Sequence, residues 1–171
     1  MDPRKNKILF SKKAEEIREM ASLTKIMTCV VSLQLAADLK LNIHKTWFRV
    51  SQLAANMIGT SANLTENQRV TIHDLLYGLM LPSGNDAAVT LAEGFTELLL
   101  KARQRPNQGK SELITKSDIS KSSTNQKNSS WSYFVKEMNS TAMRLHMKTT
   151  KYTNPHGLSD KANHSTASEL A

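Results

Sequence analysis

From Leu23 onward, apolar residues recur at spacings of three and four: Leu23, Ile26, Met27, Val30, Leu33 and Ala37. That period is helical, and it predicts a helix from Ser22 to about Leu39. Few polar residues interrupt it, so the helix is expected to be buried nearly all round. Such a helix needs partners. Thr71-Ile72-His73-Asp74 has the pattern of a capping box with Thr71 as N-cap. It opens a helix to about Met80, with Leu75, Leu76, Leu79 and Met80 on the inner face. Pro82-Ser83-Gly84-Asn85 breaks that helix. Another, from about Asp86 to Leu100, turns Ala88, Leu91, Ala92 and Phe95 inward, and one from Trp131 to about Leu145 does the same with Phe134, Met138 and Ala142.

Strand signals are weaker. Lys7-Ile8-Leu9-Phe10-Ser11 reads as a short strand, residues 11–21 as polar and irregular, and Phe48-Arg49-Val50 as a strand hint. Tyr152 to Leu158 is extended and then turns. Thr166-Ala167-Ser168-Glu169 is a second capping box. The length suits one domain, residues 1–171, with a polar low-complexity insertion at about 101–130.

The net charge of +8 raises the question of nucleic acid. Seven Lys/Arg against two Asp/Glu lie within 101–130, where Ser, Asn and Gln abound and aromatics for base stacking are almost lacking. The charge reads as a solvated insertion, so no nucleic-acid partner is expected. Gly109-Lys110-Ser111 mimics the end of a phosphate-binding loop, but Gln104 stands where its first glycine belongs. No run reaches the ~18 apolar residues of a membrane helix, and no signal peptide follows Met1-Asp2-Pro3-Arg4-Lys5. The lone Cys29 reads as a buried helical residue. The histidines at 44, 73, 146, 156 and 164 form no metal-ligand pattern, so no metal site is expected.

Two short constellations carry chemistry. Ser22-Leu23-Thr24-Lys25 puts a hydroxyl and an amine three residues apart on one helical face. A serine hydroxyl is a weak nucleophile until a base takes its proton, and a partly buried lysine has its pKa lowered enough to serve. The helix N-terminus also favours a developing oxyanion. By itself the pattern equally fits a Ser N-cap followed by a solvent-facing Lys. Ser83-Gly84-Asn85 sits in a tight turn between two apolar helices, which can push two polar side chains into a cleft. It also fits an ordinary helix–helix turn with Asn85 as cap.

Taken together, these elements resemble a known family. Ala21-Ser22-Leu23-Thr24-Lys25-Ile26-Met27-Thr28 resembles the nucleophile motif of the serine D-alanyl-D-alanine carboxypeptidases, the low-molecular-mass penicillin-binding proteins of peptidase S11 type. Leu81-Pro82-Ser83-Gly84-Asn85-Asp86-Ala87-Ala88 resembles their second motif. Asn154-Pro155-His156-Gly157-Leu158 and the following Ser165-Thr166-Ala167-Ser168-Glu169-Leu170-Ala171 resemble a later landmark. The resemblance implies an α+β fold of the β-lactamase/transpeptidase type, here mostly the helical part with an incomplete antiparallel sheet. It implies that Ser22 attacks a peptidoglycan stem peptide ending in D-Ala-D-Ala, or a β-lactam, to form an acyl-enzyme. Lys25 would be the base, Ser83 would relay the proton to the leaving D-alanine, and Asn85 would bind the substrate backbone and help position Lys25. An extracytoplasmic location is implied, and no metal or organic cofactor.

The family's third motif, K-T-G, is missing. Lys148-Thr149-Thr150 and Lys45-Thr46-Trp47 are misplaced for it. The chain is therefore expected to be truncated before that motif. An inactive fragment or pseudoenzyme that binds muropeptide or a partner, and a β-lactamase-like hydrolase, are the alternatives.

Overall fold

The computed structural model describes residues 7–103, 130–158 and 160–171. In chain order the elements are β1 (Arg18–Glu19), a 3-10 turn (Ala21–Leu23), α1 (Thr24–Asp38), β2 (Trp47–Arg49), α2 (Gln52–Ala55), β3 (Arg69–Thr71), α3 (Ile72–Met80), α4 (Asn85–Arg103), α5 (Ser132–Arg144), β4 (His164–Ser165) and α6 (Ala167–Leu170). Two small antiparallel sheets flank the helices. In one, β1 pairs with β4, Arg18 opposite Ser165. In the other, β2 pairs with β3, Phe48 opposite Val70. The architecture is α+β, as expected.

The first half of α4 is the centre of the core. Ala87, Ala88, Val89, Leu91, Ala92 and Phe95 are fully buried. α1, α2, α3 and α5 all pack against this helix. Phe95 holds Phe48 edge-on at 5.1 Å and stacks on Phe134 at 6.1 Å, which ties β2 and α5 to it. Gly94 makes the approach of Phe48 feasible, because a Cβ there would lie 2.3 Å from the ring. Gly94→Ala is expected to lower stability by about 1–3 kcal/mol through overpacking, read as a lower thermal midpoint.

α3 forms as its capping box predicts. Thr71 Oγ1 accepts the Asp74 N–H at 3.0 Å, and Ile72, Leu75 and Leu79 are buried. Met80, assigned to the inner face, is 47 % exposed. Thr166 likewise caps α6 through the Glu169 N–H. The Glu169 carboxylate, however, reaches across to Thr149 and Thr150.

Three sequence expectations fail. Residues 8–11 form no strand: Ile8, Leu9 and Phe10 are exposed. The segment read as irregular contains β1, whose pairing with β4 lies too far along the chain for local pattern to show. The largest correction concerns α1. Its extent is close to the expected one, but the helix is not buried all round. Leu23, Ile26, Val30 and Leu33, four of the six residues that set the helical period, are 41–51 % exposed. The inward face instead carries Thr24, Lys25, Thr28 and Ser32 beside Met27, Val31, Leu35 and Ala36. Polar groups turn inward because partners await most of them there, as the site shows. The expected insertion lies mostly outside the described residues, as does Gly109-Lys110-Ser111.

Candidate active site

Ser22 is exposed within the 3-10 turn that precedes α1. Ala21, just before it, has φ +46°, and the Leu23 N–H donates to Met20 O at 3.1 Å. A non-glycine residue in the left-handed region costs roughly 1–2 kcal/mol and persists only where its surroundings enforce it. Ser83 is a second such residue, at φ +58°. Both candidate motifs thus contain a strained backbone position.

Lys25 opens α1 and is only 2 % exposed. Its Nζ donates to Ser22 Oγ at 3.3 Å and to the main-chain oxygen of His156 at 2.8 Å. Burial pushes its pKa from 10.5 down to about 8, while the Asp86 carboxylate pulls the other way. With a pKa near 8, about a tenth of the lysine is neutral at pH 7, against well under a thousandth at the ordinary value. The helix–turn geometry therefore brings a hydroxyl and an amine of lowered pKa into contact.

The turn Asn154–Leu158 closes over this end of α1. Asn154 Oδ1 accepts the N–H groups of His156 at 3.2 Å and Gly157 at 2.6 Å, and its Nδ2 donates to Leu158 O at 3.3 Å. The inward hydroxyls of α1 meet this region. Thr28 Oγ1 donates to Pro155 O at 2.6 Å, and Thr24 Oγ1 accepts from Asn163 Nδ2 at 2.8 Å. The His156 ring is not the base. Burial and the nearby Lys25 push its pKa down to about 4, and its Nδ1 accepts the Leu158 N–H at 3.0 Å, so its proton sits on Nε2. It braces the turn, with Trp131 edge-on at 5.9 Å.

The Ser83-Gly84-Asn85 turn is held by residues 58–64. The Asn85 N–H donates to Thr60 O at 2.8 Å, Asn85 Nδ2 to Ile58 O at 2.7 Å, and Thr60 Oγ1 to Ser83 O at 2.6 Å. Asp86 anchors the same segment, accepting from Ser61 Oγ, from the Ala62 and Leu64 N–H groups, and from its neighbour Ala87. Burial raises the Asp86 pKa, but these donors outweigh it and leave the group below its usual value. Asn85 is 2 % exposed, and its Oδ1 is buried with no hydrogen-bond partner. An orphaned buried acceptor is costly and marks a place where a donor is missing.

Ser22 and Lys25, singled out from sequence, are therefore in direct contact. No hydrogen bond joins the Ser83 hydroxyl or the Asn85 amide to either of them. In this geometry Lys25 Nζ bonds Ser22 Oγ and the His156 carbonyl. Sequence reasoning missed Thr28, Asp86, Asn163 and the 58–64 segment. One signal was present: Thr24, Thr28 and Ser32 repeat every four residues, the mark of one helical face. Cys29 is half-buried and its thiol is pushed up by burial, which suits an inert core residue. Asn139 and Asn163, each the first residue of an N-x-[ST] tripeptide, spend their amides on internal hydrogen bonds. Among the described residues no helix is long and apolar enough to cross a membrane.

A sequence profile described as D-alanyl-D-alanine carboxypeptidase, Peptidase_S11, matches residues 1–96 and 118–171. A D-alanyl-D-alanine carboxypeptidase of Bacillus subtilis is 29 % identical over 96 % of this chain and 34 % of its own length. One from a Streptomyces species is 32 % identical over 95 % of this chain and 47 % of its own length. Among solved structures, the D-alanyl-D-alanine carboxypeptidase DacD of Francisella tularensis superposes with a TM-score of 0.75 at 27 % identity, covering all of this chain and 33 % of that one. The Streptomyces K15 DD-transpeptidase does so with a TM-score of 0.68 at 29 % identity, over 95 % of this chain and 52 % of that one. The chain thus spans between a third and about half the length of these relatives. The profile covers well over half of the chain, and the Ser22 turn, the Ser83 turn and the Asn154 turn all lie inside it, so this protein belongs to the D-alanyl-D-alanine carboxypeptidase family.

Proposed function

We propose that this chain carries the acylating half of a serine D-Ala-D-Ala carboxypeptidase site, with a peptidoglycan stem peptide as substrate and β-lactams as mimics. Ser22 Oγ attacks the carbonyl of the penultimate D-alanine while Lys25 Nζ takes its proton. The peptide bond then breaks. The departing D-alanine amine receives a proton through Ser83, and the acyl group stays on Ser22 until water hydrolyses the ester. Asn85 binds the substrate backbone. The observation that carries this reading is the Lys25 amine, buried and shared between Ser22 Oγ at 3.3 Å and His156 O at 2.8 Å.

The test is acylation of the purified chain by a fluorescent penicillin, followed by peptide mapping, with Ser22→Ala beside it. A label on Ser22 that the variant lacks is expected. A folded chain that takes no label sinks the catalytic reading. The acylation rate should also climb with pH through about 8, because only neutral Lys25 accepts a proton. A stopped-flow pH series that stays flat between 6 and 9 contradicts Lys25 as the base.

One observation favours a second reading, a chain that binds stem peptide without turnover. Ser22 and its neighbours Leu23 and Ile26 are all exposed, so among the described residues no wall faces the nucleophile. A labelled stem peptide that binds a folded chain refractory to penicillin would support it.

A further inference from the structure

Lys25 has two hydrogen-bond contacts, and only one of them is to the group it would activate. The other, His156 O at 2.8 Å, is a main-chain carbonyl 131 residues away. A neutral amine keeps two N–H groups and one lone pair. If an N–H is pledged to a fixed acceptor, the lone pair is restricted in where it can point. If that acceptor wanders, the amine rotates freely about its last carbon bond, and the base loses its aim. What fixes the His156 carbonyl therefore aims the base.

Two side chains fix it, from opposite sides. Asn154 shapes the turn from within, through the His156 and Gly157 N–H groups and Leu158 O. Thr28 pins it to the helix. Its hydroxyl is fully buried, one turn beyond Lys25 on the same face, and donates to Pro155 O, the carbonyl just before that of His156, at 2.6 Å. Its other contact, Thr24 O, is 3.4 Å away, so the single hydroxyl proton belongs to Pro155. The helix that carries the base thus also carries the peg that holds the base's acceptor. Lys25 and its acceptor are referenced to one rigid element.

We propose that Thr28, with Asn154, is a positioning residue for Lys25: by pinning the Pro155–His156 main chain to α1, it holds the carbonyl that orients the base toward Ser22. The inference rests on the proposed acylation chemistry for its kinetic readout, and on Lys25 alone for its spectroscopic one.

The experiment compares Thr28→Val, which keeps the shape and removes the donor, with Thr28→Ser, which keeps the donor. In fluorescent penicillin acylation of the full chain, Thr28→Val should lower the acylation rate constant roughly 10- to 100-fold, the scale of a small misplacement of reacting groups. The non-covalent dissociation constant of the penicillin should stay unchanged, and Thr28→Ser should restore the rate. In parallel, the Lys25 ε-carbon is titrated by NMR with labelled lysine, assigned through Lys25→Arg. With the carbonyl no longer held at Nζ, the buried ammonium loses an acceptor, so the Thr28→Val midpoint should fall below the wild-type value near 8, and Thr28→Ser should match wild type. The NMR arm decides the question even if the wild-type chain takes no penicillin, in which case the functional reading fails and this one is still judged. An unmoved midpoint overturns the proposal. A midpoint raised toward 10.5 overturns it too, since it would mean that the turn only excludes water. Equal rate losses in Thr28→Val and Thr28→Ser, with matching losses of thermal stability, would reduce Thr28 to packing.

Discussion

Lys25→Met is expected to abolish the proposed acylation and to melt no lower than wild type at pH 7. The catalytic part follows from Ser22, whose hydroxyl has Lys25 Nζ within hydrogen-bond reach and, among the described residues, no other amine bonded to it. Without a base the attack must expel a proton to water, and the loss is expected to exceed about 10²-fold, the lower end of what general-base catalysis supplies. The stability part follows from burial. Folded-state Lys25 titrates near 8 against an ordinary 10.5. Below about 8 both folded and unfolded chains bind the proton, and the folded chain bears the whole cost of a buried cation, ~3 kcal/mol. Between about 8 and 10.5 the unfolded chain holds more proton, so wild-type stability rises with pH across that window. Methionine removes the charge but leaves the His156 carbonyl unpartnered, a cost of about 1–3 kcal/mol. The balance is neutral to slightly stabilising at pH 7. The gap should close or reverse by pH 10.5, where wild type has recovered its deficit. Thermal melts of both proteins at pH 7 and 10 check the sign. A variant that is less stable at pH 7 and no different at pH 10 would contradict the burial account.

Gly157→Ala should produce the largest structural loss of any single methyl added to this site. Gly157 has φ +81°, and a Cβ there would lie 1.9 Å from Ala21 O and 2.9 Å from Thr24 Oγ1. The obstacle is backbone, which cannot rotate aside as a side-chain tip can. Either the Asn154–Leu158 turn lifts from α1, or Ala21 abandons its left-handed conformation. The first displaces the Lys25 acceptor, and the second moves Ser22. The expected cost is about 2–4 kcal/mol of stability, with acylation falling by at least roughly 100-fold. Denaturant melts and labelling kinetics read both. Gly94→Ala, which overpacks Phe48 in the core, is the control that lowers stability while leaving the site geometry in place.

The contrast between α1 and α3 shows what sequence could tell. At α3 a local code suffices: the Thr71–Asp74 cap and the inward Ile72, Leu75 and Leu79 lie within a few residues of one another. At α1 the periodic residues Leu23, Ile26, Val30 and Leu33 gave the right element and the wrong face. Apolar period identifies a helix but not which side its partners occupy. Here the inner face was polar because Pro155, His156 and Asn163 supply its hydrogen bonds from far along the chain. For the same reason Ser22 and Lys25 were legible as a pair, being three residues apart, whereas the roles of Thr28, Asp86 and Asn154 were not. Their partners are backbone groups, which carry no mark in a sequence. β1 was missed likewise, since its strand partner among the described residues, β4, lies far along the chain.

The clasp over α1 also has a temporal side. Lys25 and His156 are 131 residues apart, Thr28 and Pro155 127, and Thr24 and Asn163 139. Contacts so distant in sequence form late, because the loop-closure entropy falls due before any of them is rewarded. On a ribosome the nucleophile would emerge first and wait on the order of ten seconds for its clasp, at ordinary elongation rates. Through that interval Ser22 would have a lysine three residues away with nothing to aim it. On the proposed chemistry the nascent chain would stay quiet until that clasp closed.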